Sequence, residues 1–172
     1  MSRFPIRALR LRPGEEHRET LRLELEPLVF GGEAYAPTPG DVPAELVVQR
    51  ASSGDVFRLA LATRLEGPCM RCLSPAGVAI RVDAQEYEAA SPGGDEELHS
   101  EYVGDGELDV AAWARDQIAL EVPNQILCRP DCAGLCPVCG KDLNVEPHAH
   151  AEASADPRWA ALEALRGEPA DG

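Results

Sequence analysis

The placement of six cysteines constrains this chain more than any other feature of it. They occur as Cys69-Met-Arg-Cys72 and as Cys128-Arg-Pro-Asp-Cys132-Ala-Gly-Leu-Cys136-Pro-Val-Cys139. Two thiolates separated by two residues can turn toward one metal ion, and two such pairs complete a tetrahedral shell. The segment Cys136-Pro-Val-Cys139-Gly140-Lys141 has the chemistry of a zinc knuckle. Its glycine lets the backbone fold back so that amides point at the sulfurs. Cys69 and Cys72 share the spacing but lack the following glycine. An even cysteine count also suits a disulfide scaffold in a secreted protein. Against that, residues 1–14 scatter four arginines among single apolar residues and show no apolar run of the secretory kind. Nor does any stretch of about 18 apolar residues offer to span a bilayer. The expectation is a cytoplasmic protein in a reducing compartment, where thiols stay available to metal.

Downstream of the knuckle, Asn144-Val-Glu-Pro-His148-Ala-His150 adds two imidazoles. Six cysteines and two histidines make eight ligands, enough for two closed tetrahedral Zn2+ sites. One partition joins Cys69 and Cys72 to Cys128 and Cys132, and joins Cys136 and Cys139 to His148 and His150. The simpler alternative is a single site of Cys69, Cys72, Cys136 and Cys139, with the other four side chains idle. In either case every ligand comes from the protein and no position is left for water, so the zinc is expected to be structural. Removing it should unfold at least the cysteine-rich part, because metal binding and folding are coupled in such modules.

At 172 residues the chain is long enough for one domain, or one domain with a small metal module. The net charge is −14, which argues against a protein that lies along nucleic acid, where affinity comes from Lys and Arg displacing counterions. Charge is uneven, however. Residues 1–12 hold Arg3, Arg7, Arg10 and Arg12 without an acid and read as the solvated face of a first strand. Residues 95–109 hold seven acids without Lys or Arg and read as a disordered loop opened by Ser91-Pro-Gly-Gly94.

Hydrophobic periodicity is two before it is 3.6. Leu21, Leu23 and Leu25 alternate with Arg22 and Glu24. Phe57, Leu59, Leu61, Thr63 and Leu65 alternate through 56–66, and Val78, Ile80 and Val82 continue the pattern. Residues 44–49 read as another strand, joined to the next by a turn at Ser52-Ser-Gly-Asp55. Consecutive strands with short polar turns predict an antiparallel sheet. Asp109 can cap a helix through Val110, Trp113, Gln117 and Leu120 that ends before Pro123. A last helix is expected from Asp156 as N-cap, with Trp159, Leu162 and Leu165 on one side and Gly167 at its end. Both tryptophans read as packing anchors. The fold class is α+β: a mainly antiparallel sheet with one or two helices and a zinc-held C-terminal segment. The expected organisation is a β-rich core with one helix over 1–127, a cysteine-rich zinc segment with the last helix over 128–166, and a disordered tail over 167–172.

Several of these strings together resemble the YceD family, the large ribosomal RNA subunit accumulation proteins. They are Cys69-Met-Arg-Cys72-Leu73 after a long strand, a helix ending in Ala119-Leu-Glu-Val-Pro123, Cys128 through Asn144, and Asp156-Pro-Arg158 before a short helix. The resemblance covers roughly residues 40–166. Where many relatives carry Cys-x-Cys after the asparagine, this chain has His148-Ala-His150, a conservative exchange for zinc. The resemblance implies a cytoplasmic factor needed for normal accumulation of large-subunit ribosomal RNA. Two routes are open to it. One is contact with rRNA or a pre-ribosomal particle through a local basic patch drawn from Arg3, Arg7, Arg71, Arg129 and Lys141. The other is an acidic surface offered to a basic ribosomal protein or processing factor, and the charge of −14 favours this second route. An acidic zinc-stabilised adaptor with no role in rRNA is the alternative.

Enzyme readings are weaker. A zinc deaminase carries His-x-Glu and then Pro-Cys-x-x-Cys, which His17-Arg-Glu19 and Pro68-Cys69-Met-Arg-Cys72 mimic. Those pieces must lie on helices, whereas Pro75 would break a helix begun at Cys69 and Glu19 leads into an alternating strand. The same proline speaks against a redox-active strand-to-helix turn. No phosphate loop or serine nucleophile motif occurs, and the chain is expected not to be an enzyme.

Overall fold

The computed structural model describes residues 3–90 and 98–150. It contains two compact units, Met1–Gly134 and Leu135–Gly172. Cys128 and Cys132 fall in the larger unit. The helix expected from Asp156, with Trp159, Leu162 and Leu165, and the tail after Gly167 lie outside the described residues.

In the larger unit β1 (Arg3–Pro5) and a 3-10 turn (Ile6–Leu9) precede β2 (Glu16–Glu24), β3 (Leu28–Phe30), β4 (Glu33–Thr38) and β5 (Asp41–Arg50). Two fifteen-residue strands follow, β6 (Gly54–Pro68) and β7 (Pro75–Ala89). Short strands β8 (Val103–Gly104) and β9 (Glu107–Asp109) lead into α1 (Val110–Glu121). All pairings among these strands are antiparallel. β6 is the spine of the main sheet. It pairs with β7 over its full length on one side, and with β5 and then β4 on the other. β2 extends the sheet beyond β5, and β3 extends it beyond β4. A smaller sheet has the order β1-β9-β8.

Strict alternation explains the layering. Leu21 and Leu23 of β2, Val42, Ala44, Leu46 and Val48 of β5, Phe57, Leu59, Leu61 and Leu65 of β6, and Ile80 and Val82 of β7 are all buried. Their neighbours in sequence, such as Arg22, Glu45, Arg58 and Arg81, are exposed. The apolar face is covered by α1, which packs against β7, β1 and β2. The Asp109 carboxylate accepts from the Ala112 amide at 3.0 Å and caps the helix as its sequence predicts. Val110, Trp113, Ala114 and Ile118 form the buried stripe, and Leu120 points away with 76% of its surface exposed. Trp113 is a packing anchor, fully buried and stacked on Tyr102 with ring centroids 6.3 Å apart. Among the described residues no helix is long and apolar enough to cross a membrane.

One expectation is corrected. Residues 98–109, read from their acids as part of a disordered loop, are folded. Leu108 is completely buried in the main core, and β9 pairs with β1 in register from Arg3–Asp109 to Pro5–Glu107. Glu88 of β7 takes the amide of Ser100 at 2.8 Å and the ring of His99 at 3.0 Å. A few apolar anchors and two polar ties outweigh the charge of the segment. Ser91 to Glu97 lie outside the described residues.

Candidate metal centre

The β6–β7 connection is short and tightly closed. The Cys69 amide donates to the Ser74 carbonyl at 2.7 Å, and the Leu73 amide returns to the Cys69 carbonyl at 3.0 Å. The Arg71 amide points at Cys69 Sγ from 3.5 Å, the hydrogen bond to sulfur that a knuckle requires. Leu73 occupies the position where a knuckle commonly places glycine, and it adopts the left-handed conformation with φ of 62°. A β-carbon there costs about 1–2 kcal/mol. Leu73 is also 59% exposed, so its side chain recovers little of this through burial. Leu73→Gly should therefore raise the melting temperature of the folded protein by roughly 2–6 °C, for a gain of about 1 kcal/mol. Thermal unfolding followed by circular dichroism checks this, and metal content should not change.

The facing segment arrives from the end of α1. Met70 and Ile126 zip together: the Met70 amide donates to the Ile126 carbonyl at 2.9 Å, and the Ile126 amide to Met70 Sδ at 3.3 Å. Ile126 is buried in the core. Arg71 then reaches across, donating to Gln125 Oε1 at 2.9 and 3.1 Å and to the Cys132 carbonyl at 3.0 Å. Gly134 lies so close to Arg71 that a β-carbon would sit 3.2 Å from its carbonyl oxygen, and its φ of 78° also demands glycine. These ties bring four sulfurs together. Cys69, Cys72, Cys128 and Cys132 have ligand atoms all within 4.8 Å of one another. The Sγ atoms of Cys69 and Cys132 are 3.7 Å apart, and those of Cys72 and Cys128 are 3.5 Å apart. A tetrahedral thiolate shell about 2.3 Å from a zinc ion requires sulfur separations of about 3.8 Å. A disulfide requires about 2.05 Å, and all six cysteines are free thiols. The group fits a metal.

Within the smaller unit, Cys136, Cys139, His148 and His150 form a second group whose ligand atoms also lie within 4.8 Å of one another. The knuckle is built as its sequence predicts. Gly140, with φ of 74°, turns the chain so that its amide donates to the Cys136 carbonyl at 2.8 Å, and the Cys136 amide donates to the Lys141 carbonyl at 2.8 Å. Asp142 then folds the following turn, accepting from the Asn144 amide at 2.8 Å on its side chain and from the Glu146 amide at 3.0 Å on its carbonyl. That turn places His148 with Nδ1 2.7 Å from the Glu146 carbonyl and Nε2 3.2 Å from Cys139 Sγ. With Nδ1 donating to the carbonyl, Nε2 is left as the lone-pair nitrogen facing the sulfur, the tautomer a metal ligand needs. The His148 and His150 rings stand edge to face, centroids 5.0 Å apart.

The electrostatics of both groups favour a cation. Burial alone pushes the Cys69 thiol up, but the amides of Arg71, Cys72 and Cys128 win and bring it to about 6. The Cys139 amide, foremost among several donors, brings Cys136 down to about 6. The Ser74 hydroxyl and amide lower Cys72. Cys128, hydrogen-bonded chiefly to Cys72, is pushed up to about 12. The Glu146 carbonyl raises His148 above the usual imidazole value, with Cys136 adding to it. Without a cation each group therefore combines a ready thiolate with one ligand whose proton is held more tightly than usual, Cys128 in the first group and His148 in the second. A divalent ion would displace those protons.

The eight residues singled out in the sequence thus fall into two groups of four, each within one unit. The deaminase-like pieces do not meet. His17 and Glu19 lie on β2, bonded to each other at 3.1 Å, neither is in the four-sulfur group, and the chain after Cys72 enters β7 rather than a helix. Three of the five basic residues named for a patch lie beside acids. Arg3 lies 3.9 Å from Glu107 and 3.8 Å from Asp109, Arg129 lies 3.4 Å from Asp131, and Lys141 lies 2.9 Å from Glu146. Arg71 is engaged inside the metal loops. What the sequence did not reveal is the Arg71–Gln125 and Met70–Ile126 closure, which pairs residues more than 50 positions apart.

Comparison with known proteins gives the family. The sequence model described as "Large ribosomal RNA subunit accumulation protein YceD" matches residues 57–166, which include all eight candidate ligands. The chain belongs to the YceD family. An uncharacterized protein of Mycobacterium tuberculosis strain H37Rv is 37% identical over 131 residues, covering 74% of this chain and 63% of the relative. The YceD-family chain thus spans less than two thirds of the length of its mycobacterial relatives. The maize protein named large ribosomal RNA subunit accumulation protein YCED homolog 1, chloroplastic, is 42% identical over 50 residues, covering 29% of this chain and 17% of its own. The uncharacterized protein YlbN of Bacillus subtilis is 30% identical over 102 residues, covering 57% of this chain and 58% of the relative. No solved structure matches the chain.

Proposed function

We propose that this YceD-family chain is a zinc-binding, non-enzymatic factor in ribosome biogenesis that supports the accumulation of large-subunit ribosomal RNA. The observation that carries the reading is family membership across the segment that contains both ligand groups. The family description and the name of the maize relative both specify an accumulation role and no reaction. Zinc is the metal that a four-thiolate group and a Cys2His2 group select, since soft thiolates disfavour Mg2+ and Ca2+. When bound, it would cross-link chain segments far apart in sequence; four protein ligands close the tetrahedron and leave no position for a reacting water.

Cytoplasmic location and the partner belong to this proposal. A charge of −14, with most described basic side chains already paired, favours a basic ribosomal protein or pre-ribosomal component over bare RNA. The functional reading is tested by the ratio of large- to small-subunit rRNA in cells depleted of the protein. The metal reading is tested by elemental analysis of purified chain. Two zinc ions per chain are expected, falling to one in the His148→Ala, His150→Ala variant. One zinc in the unaltered chain would remove the Cys2His2 site.

A further inference from the structure

β7 leaves a long side of the main sheet open. It pairs with β6 through fifteen consecutive residues without a bulge. The Ala90 amide donates to the Ser53 carbonyl at 2.9 Å, which continues the same ladder by one step. Ladder alternation therefore aims the backbone groups of even-numbered residues of β7 at β6 and those of odd-numbered residues outward. Among the described residues no backbone group pairs with that outer side. Natural edge strands are commonly short, bulged, or interrupted by Pro or Lys. Beyond its first residue, Pro75, β7 is neither short, bulged nor broken by Pro or Lys, and the charges that also guard edges are confined to Arg81, Asp83, Glu86 and Glu88.

The side chains along this edge are self-complementary. Arg81 and Asp83 are both exposed on the outer face, and neither has an ion pair among the described residues. Their cross-strand partners within the chain are Ala62 and Ala60, which offer them no charge.

We propose that two copies of this chain associate about a twofold axis by antiparallel pairing of their β7 edges, centred on Val82. In that register the outward odd-numbered residues of the two strands hydrogen-bond to one another. Arg81 then stands opposite the partner's Asp83, and Asp83 opposite the partner's Arg81, so one substitutable pair is formed twice, as an isologous contact requires. Ala79 meets Gln85 without crowding, and Val82 meets its own copy on the apolar face. Other registers are worse. Centring on Arg81 or Asp83 sets like charges opposite one another, and moving the centre from Val82 by two residues parts both ion pairs. The sheet would become continuous across the dimer, by the strand addition that open edges use in peptide recognition.

The test is the mass of the full-length, metal-loaded protein in solution, measured by light scattering or sedimentation at high micromolar concentration. The unaltered chain should show twice its 18.5 kDa mass. Arg81→Asp and Asp83→Arg should each weaken dimerisation by about tenfold or more, since each turns two attractive pairs into two repulsive ones. The double variant Arg81→Asp, Asp83→Arg should restore it, with unchanged circular dichroism throughout because both side chains are exposed. A monomeric unaltered chain would overturn the proposal. So would a dimer indifferent to either single change, or a folded double variant that stays monomeric.

Discussion

Cys69→Ser, Cys72→Ser protein should lose one metal ion per chain and a large part of the stability of the Met1–Gly134 unit. The two sulfurs are buried, and they are half of the four-thiolate group that ties the β6–β7 connection to the segment after α1. Structural zinc contributes an apparent 10–16 kcal/mol, roughly, in small modules, against a net domain stability of about 5–15 kcal/mol. The unit also has its own sheet core, so the expected outcome is a fall in melting temperature of more than about 10 °C rather than a wholly disordered chain. Cys136→Ser supplies the contrast. It should remove the other metal and unfold the knuckle while the β-rich unit keeps its transition, because the second ligand group lies wholly within Leu135–Gly172. Calorimetry with elemental analysis of both variants measures this. Unchanged melting of the double serine variant, still carrying two metals, would show that the four thiols are not ligands.

Depletion of the protein in cells should lower mature large-subunit rRNA relative to small-subunit rRNA by severalfold, and the double serine variant should fail to restore it. The effect is expected to be large because a variant that loses several kcal/mol of stability loses both its shape and its abundance. Expression of Arg81→Asp as a second rescue separates shape from assembly. It keeps the metal centre and the fold, so rescue by this variant together with failure of the serine variant would assign the function to the metal-held fold and not to the dimer. An unchanged rRNA ratio would detach this chain from the family role and leave an acidic, zinc-stabilised adaptor.

Much of the candidate site was legible because metal ligation writes itself into short spacings. Cys136-Pro-Val-Cys139-Gly140 announces its turn, and the structure supplies the left-handed glycine and the amide hydrogen bonds that this string predicts. The long strands were legible for a similar reason. Leu59, Leu61 and Leu65 alternate with Ala60, Ala62 and Arg64, and a half-buried strand has no other way to sort its side chains. Shorter strands were not. β1, β8 and β9 have three, two and three residues, too few to establish a period, and β9 is surrounded by acids that suggest a loop. Leu108 decides that segment, and its weight shows only when the core it enters is known.

The sequence by itself determined which side chains are candidate metal donors, the antiparallel character of the sheet, the cap of α1 and the family. Each depends on residues within one or two turns of chain, where geometry follows directly from spacing. The tertiary structure decided how the donors are shared. Cys69 and Cys72 join Cys128 and Cys132 because Met70 and Ile126, 56 positions apart, exchange hydrogen bonds and Arg71 locks the facing loop. It also decided that Leu73 accepts a strained backbone at the knuckle, that residues 98–109 fold, and that β7 presents an open side. These outcomes depend on which distant segments share a core, and the free energy of that choice belongs to burial and packing rather than to local pattern.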